Sequence, residues 1–295
     1  MNPLPIIFIH KGNSWYLTYT LYQAHVTNPD SPIYLIGDND TKHFPKWVTH
    51  IPYSQYDSYS QKLRDVYQHK SILGKDFELL CIERWFVLYE FLVDKQIDNC
   101  IYLDSDILVY SNLSEAKKYT EDYAVTWSGF SAHSNYINNI NALKNYCDNV
   151  IDSYTGKLPQ DIKEKTLFYQ RLTQIDNQEA ISDMTFWYDF NVRYPGKLLN
   201  ISKQNTKGSF DISMSETRFC EDDGSGYKKI YWNQKIPQCK YRDTSQIVPM
   251  VTLHFQGKAK TILKKHFKYW SIPFFAFKVY NDIKIIITKI KNRLK

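Results

Sequence analysis

The chain has 295 residues, of which 43% are hydrophobic and 16% aromatic, enough for one large α/β domain with its own core and unlike a disordered chain. The net charge of +6 is uneven, because residues 258–295 hold eleven Lys or Arg and a single acid, Asp282. The first 257 residues keep 26 basic and 30 acidic side chains, which excludes a uniformly basic nucleic-acid binder.

Met1-Asn2-Pro3-Leu4-Pro5 has no basic leader, and the apolar run that follows is only Ile6 to Ile9. Neither a signal peptide nor a spanning helix is expected, and the expected location is cytoplasmic. Five cysteines, an odd number without CxxC spacing, fit reduced thiols rather than a zinc site or a disulfide framework.

Ile6–Ile9 reads as a buried strand ending at His10-Lys11-Gly12-Asn13. Trp15 to Thr27 reads as a helix capped by Asn13 or Ser14, and Ile33–Ile36 as a second buried strand ending at Gly37-Asp38-Asn39-Asp40. This order suggests a parallel βαβ unit, with a further strand over Trp47–Ile51. Ser58–Lys70 and Phe77–Asp94 are expected helices, the second carrying Glu83 and Arg84. Asn99 to Leu103 is a third buried strand, Ile107–Tyr110 stays extended, and Asn112 or Ser114 starts a helix. Tyr123–Trp127 is a strand; Tyr136–Tyr154, Asp161–Thr173 and Glu179–Phe190 read as helices. From Leu198 to Leu253 the pattern becomes short strands with turns, including a hairpin over Tyr227–Asn233 and Gln238–Arg242.

Asp104-Ser105-Asp106 splits an apolar run, between Ile101-Tyr102-Leu103 and Ile107-Leu108-Val109. Carboxylates interrupting such a run at a strand end sit where open α/β sheets bind ligands. One residue apart, they can both reach one hard cation, Mn²⁺ or Mg²⁺, bound to a diphosphate. A second motif, His254-Phe255-Gln256-Gly257-Lys258-Ala259-Lys260, follows the strand end Val251-Thr252-Leu253. An imidazole can complete a metal site, and a glycine followed by lysines can approach phosphates. Taken alone, His254 would be a strand-end histidine leading into a basic tail; the carboxylate triplet tips the reading to a ligand.

Together these motifs resemble the GT-A glycosyltransferases, most closely the retaining family-eight group of glycogenin and the lipopolysaccharide galactosyltransferases. The resemblance covers residues 5–260 in overall order and about ten residues in specific motifs. It implies a Rossmann-like, mixed, mostly parallel sheet flanked by helices, with a nucleotide-sugar half over 1–130, an acceptor half over 131–260 and a basic aromatic tail over 261–295. It implies that Asp104, Asp106 and His254 hold Mn²⁺ (or Mg²⁺), with Asp104 also on the ribose, and that Gly257 and Lys260, with Lys258 as an alternative, meet the diphosphate. The family motif continues Pro-Trp after the lysine, whereas here Thr261-Ile262 follow. The implied reaction is sugar transfer from a nucleotide-diphosphate sugar, first a UDP-sugar, to a glycan or glycolipid hydroxyl, as in surface polysaccharide synthesis.

By the same resemblance His10, Lys11, Asn13 and Asp38 frame the base and ribose, with Ser105 beside them. Polar loops after strands are common, so His10, Lys11, Asn13 and Asp38 also read as plain loop; Gly129, His133 and Asn135, after the Tyr123–Trp127 strand, are candidates for the acceptor side. Ser182-Asp183-Met184 looks like the acidic segment near donor sugar and acceptor, with Asp183 a sugar contact or, under inversion, a general base. An acid opening a helix is also an ordinary complement to its dipole. Arg84, in an apolar helix, reads either as half of an ion pair or as a contact to donor sugar or diphosphate. The late histidine leans towards retention.

In the tail, Phe274, Phe275 and Phe277 are followed by Ile283, Ile286, Ile290 and Leu294 at helical spacing, with Lys284, Lys291 and Lys295 on another face. Lys264, Lys265 and Lys268 precede them, beside Tyr269 and Trp270. Such a helix suits an anionic membrane surface, or packs on the domain with its lysines solvated. Two rival functions use the same scaffold: a sugar nucleotidyltransferase, which lacks its Gly-rich triphosphate loop here, and a non-catalytic glycan- or membrane-binding module.

Overall fold

The computed structural model describes residues 3–38, 44–129, 131–173, 181–202 and 208–293. The expected Asn39-Asp40 turn, the expected helix start at 179 and 180, the side chains of Lys284 and Lys291, and Leu294 and Lys295 lie outside what is described.

Along the chain come β1 (Ile6–His10), α1 (Leu17–Thr27), β2 (Ile33–Gly37), β3 (Val48–Pro52), α2 (Ser58–Arg64), α3 (Lys75–Asp94), β4 (Cys100–Leu103), β5 (Ile107–Val109) and α4 (Leu113–Lys117). Then follow β6 (Val125–Trp127), β7 (Ser134–Ile137), α5 (Ile140–Thr155), α6 (Gln160–Lys165), α7 (Leu167–Leu172), α8 (Asp183–Arg193), β8 (Leu198–Asn200) and β9 (Ser209–Phe210). The chain ends with β10 (Ile230–Asn233), β11 (Ile236–Lys240), β12 (Ile247–His254), a 3₁₀ turn over Gly257–Ile262, α9 (Leu263–His266) and α10 (Ile272–Arg293). Strands β1–β4 and β6–β8 make a mostly parallel seven-stranded sheet flanked by helices, the expected α/β class.

By compactness the chain divides into two units, one of Met1–Pro52, Leu103–Lys118 and Ile201–Lys295, the other of Tyr53–Tyr102 and Tyr119–Asn200. This is a different cut from the expected functional halves, since each unit is assembled from separated stretches.

In the first unit, β1, β2 and β3 pair in parallel, with Ile6 opposite Ile33 and Ile33 opposite Val48. Ile6, Ile7 and Phe8 are fully buried, which is why this strand is a continuous apolar run without alternation. Helix α1 starts two residues later than its expected cap: Tyr16 is the N-cap and no side chain bonds there. It is instead held by packing, with Leu17 to Ala24 buried and Gln23 Nε2 donating to the Val109 carbonyl at 2.8 Å. A second sheet runs β10-β11-β12-β5, with β9 on β12, and includes the expected hairpin. Asn112 caps α4 by accepting from the Ser114 and Glu115 amides.

In the second unit, β6 pairs antiparallel with β7 and parallel with β8. Tyr136, expected in a helix, lies in β7, where its amide donates to Thr126 Oγ1 at 2.9 Å. The helix begins only at Ile140, after Asn139 has capped it. The expected Asp161–Thr173 helix is broken into α6 and α7 at Thr166, whose backbone is extended. Helix α2 stops at Arg64, whose guanidinium bonds Asp57 and Glu83.

Candidate metal and diphosphate site

The site in the first unit follows from one strand register. Strand β5, which leaves the Asp104-Ser105-Asp106 triplet, runs antiparallel to β12 with Ile107 opposite His254, Leu108 opposite Leu253 and Val109 opposite Thr252. The ladder extends one step further, as the Phe255 amide donates to the Asp106 carbonyl at 3.0 Å. Two stretches about 150 residues apart are thereby joined side by side. Asp104, Asp106 and His254 present ligand atoms that all lie within 4.8 Å of one another.

The histidine is oriented for ligation. His254 Nδ1 donates to the Ile212 carbonyl at 2.7 Å, which leaves Nε2 as the lone-pair nitrogen, 3.4 Å from Asp106 Oδ1. Two carboxylates and a neutral imidazole are a donor set that fits Mn²⁺ or Mg²⁺, so the residues suit the metal their pattern implies. Lys260 reaches Asp106 Oδ2 at 2.6 Å and lies over the Tyr16 ring at 5.4 Å. Burial alone would raise the Asp106 carboxyl, but His254 and Lys260 outweigh it and hold it below the usual carboxylate range. Burial works to lower His254, yet the Asp106 and Asp104 charges lift it above its ordinary value.

Gly257 sits at φ +58° on the 3₁₀ turn that carries Lys258 and Lys260, with open space where a Cβ would stand. Lys258 is exposed and Lys260 half-buried. His10 is next to the triplet: its Nδ1 shares a hydrogen bond of 2.8 Å with Ser105 Oγ, while its buried Nε2 bonds no described residue. Burial pushes His10 down to about 4 against the pull of Asp38 and Asp106, so it is neutral at pH 7. Asp38 Oδ1 accepts the Gly12 amide at 2.6 Å, joining the loops after β1 and β2, and Gly12 has φ +85°. Lys11 and Asn13 are exposed on that loop.

Arg84 and Asp183 are both in the second unit and are each other's partner, 2.5 Å apart and largely buried. Asp183 also accepts from Trp85 Nε1 at 3.4 Å, and Arg84 donates to Tyr102 Oη at 3.0 Å. Asp183 opens α8 behind Ser182, which forms a capping box with Thr185. The Gly129 amide donates to Asn200 Oδ1 at 3.1 Å, and Gly129 has φ +56°. His133 and Asn135 are fully buried; His133 Nδ1 meets Ser131 Oγ at 2.9 Å, while neither amide atom of Asn135 bonds a described residue.

Tyr16, Asp211, Ile212 and Lys228 also belong to the site, though no motif in the chain marks them. Asp211 directly follows the short strand β9, as the triplet follows β4, and that was the one available signal. Lys228 gives none, because a lysine in a polar turn reads as solvated.

No family profile matches the chain, and no curated protein matches it. Among solved structures, the galactosyltransferase LgtC in complex with donor and acceptor sugar analogs is 14% identical, with 93% of this chain and 100% of that one covered, at a TM-score of 0.45. Mouse xyloside xylosyltransferase 1 is 9% identical over 68% of this chain and 85% of that one, at 0.43. A glycosyltransferase involved in glycosylation of the major capsid of PBCV-1 is 8% identical over 89% and 98%, at 0.40. All three neighbours are glycosyltransferases.

Proposed function

We propose that the chain is a metal-dependent glycosyltransferase of the GT-A kind, moving a sugar from a nucleotide-diphosphate sugar, first a UDP-sugar, to a hydroxyl of a glycan or glycolipid. The observation that carries this reading is the convergence of Asp104, Asp106 and His254 beside Lys260. Those three residues would hold Mn²⁺ or Mg²⁺, which when bound neutralises charge on a departing nucleoside diphosphate. Lys260 then adds a cation for a phosphate oxygen, and the open backbone at Gly257 lets the diphosphate approach the chain. The Gly12–Asp38 bond and neutral His10 shape a polar wall for base and ribose. Retention is favoured over inversion, because the Asp183 carboxylate is already bound by Arg84 and Trp85 rather than left as a general base. Asn135, buried with neither amide atom bonded among the described residues, supports a sugar-recognition role on the acceptor side.

The test is a screen of nucleotide sugars with Mn²⁺, with and without EDTA, reading nucleoside diphosphate release. Metal-dependent release of UDP with sugar transfer is expected. Release of pyrophosphate would instead mark a nucleotidyltransferase, and undiminished transfer in EDTA would remove the metal from the mechanism.

The same reading places the protein at the inner face of an anionic membrane. Among the described residues no helix is long and apolar enough to cross one. Helix α10 packs on α1 through Phe274, which is 5.1 Å from Tyr19, and through Asn281 Nδ2 donating to Thr18 Oγ1 at 2.6 Å. Its other face leaves Ile272, Val279, Ile283, Ile286 and Ile290 more than half exposed. With Lys264 and Lys265 exposed just before it, this apolar stripe suits the interfacial layer of anionic lipid. Sedimentation with phosphatidylglycerol vesicles, and not with phosphatidylcholine vesicles, is the expected result.

A further inference from the structure

The proposed metal site rests on His254, and His254 is held by residues outside both sequence motifs. Strand β9 pairs with β12 only as far as Phe210 opposite Thr252, and there the ladder ends. The four residues that follow take over. The His254 amide donates to Asp211 Oδ2 at 3.0 Å, His254 Nδ1 donates to the Ile212 carbonyl at 2.7 Å, and the Met214 amide donates to the His254 carbonyl at 2.9 Å. Backbone and ring of the histidine are thus both fixed by one segment.

That segment is pinned by Lys228. Its ammonium bonds the other oxygen of Asp211, and its amide donates to the Met214 carbonyl at 2.8 Å. Asp211 is 1% exposed and Lys228 5%. Burial alone would discharge the lysine, but the Asp211 carboxylate holds it well above its ordinary value, so the pair stays ionic. A buried ion pair is weak evidence for stability, because apolar residues of the same volume often serve as well. An ion pair that also grips a candidate metal ligand has a second reason to be there.

We propose that Asp211 and Lys228 are positioning residues that set His254 for divalent-metal binding, Asp211 by accepting its amide and Lys228 by anchoring Asp211. Partners of this kind fix ring orientation and tune the affinity of the ligand they hold.

The test compares two neutral replacements of the pair. Asp211→Asn/Lys228→Met keeps an acceptor for the His254 amide, whereas Asp211→Leu/Lys228→Met does not. Mn²⁺ affinity is read by electron paramagnetic resonance of free Mn²⁺, nitrogen coupling to the bound ion by spin-echo modulation, and the fold by melting without metal. The asparagine variant is expected to bind Mn²⁺ within about threefold of wild type, and the leucine variant ~10- to 100-fold more weakly with reduced nitrogen coupling, at temperatures where both are folded. Equal Mn²⁺ affinity and coupling in the two folded variants would overturn the positioning role while leaving the metal site intact. Absence of Mn²⁺ binding by wild type would overturn both. Should the leucine variant not fold, Lys228→Met alone serves: Mn²⁺ binding several-fold weaker supports the proposal, and unchanged binding overturns it.

Discussion

Asp106 and Asp183 are both buried carboxylates at the start of a structural element, yet their surroundings are opposite. Asp183 meets one guanidinium, Arg84, and one indole N–H, Trp85. The buried Glu78 carboxylate is also near enough to feel both Asp183 and Arg84. Asp106 has a second carboxylate, Asp104, and a histidine beside it, and the Lys260 ammonium in contact with it. Asp104, Asp106 and His254 bring ligand atoms within 4.8 Å of one another, so three donor groups gather at one place. An acid engaged by a guanidinium and an indole contributes to local structure; three clustered donors can take a metal cation. Burial alone does not separate the two acids, and the donor atoms gathered around them do.

The sharpest way to break this comparison is Asp106→Ala. Transfer is expected to fall by ~10³-fold or more in a protein that still folds, since the loss is of charge stabilisation at the reacting centre. Steady-state rates with saturating Mn²⁺ measure it, and retained activity would dissolve the distinction between the two acids.

Arg84→Met should do the reverse. It leaves Asp183 buried without its guanidinium, and stability is expected to drop by about 3 kcal/mol, measured by urea denaturation, while Mn²⁺ affinity is kept. The double variant Arg84→Met/Asp183→Asn should recover most of that loss. If it does not, the pair has a role beyond its mutual balance.

A smaller effect comes from pH. His254 is raised above its ordinary value in the fold, so without metal its contribution to stability is fully present below about pH 6.5 and fades as pH rises through the raised value. Metal binding needs the neutral ring, so stabilisation by Mn²⁺ should run the other way and grow with pH over the same window. Melting curves with and without Mn²⁺ from pH 5.5 to 8.5 would show it. His254→Gln should flatten both trends.

The smallest change in stability is expected on the exposed face of α10. Ile283→Ser/Ile286→Ser alters an exposed stripe and should leave stability within about 0.5 kcal/mol. Binding to anionic vesicles should nevertheless be lost. Phe274→Ala, on the buried face of the same helix, should cost about 3 kcal/mol because it opens a cavity against Tyr19 and Phe267.

Much of this was legible in the chain itself. The strands around Phe8, Leu35 and Tyr102 are apolar runs whose ends are marked by charged or polar residues, and a pattern that local is read without knowing the fold. The triplet at 104–106 stood out because it cuts such a run. Tyr136 was misread because four residues of strand followed by a helix look like one long helix, and only the pairing with β6 separates them. Helix α1 lost its expected cap because burial on almost every side, rather than capping, decides where it begins.

Local pattern thus determined which residues have the chemistry for a metal: two hard carboxylates, a histidine and a glycine with lysines, each at a strand end. Tertiary structure alone decided that they meet. The antiparallel register of β5 on β12 places His254 opposite Ile107, and a slip of one residue would turn the imidazole to the other face of the sheet. The same is true of Asp211 and Lys228, whose meaning rests on long-range contacts that leave no periodic trace in the chain.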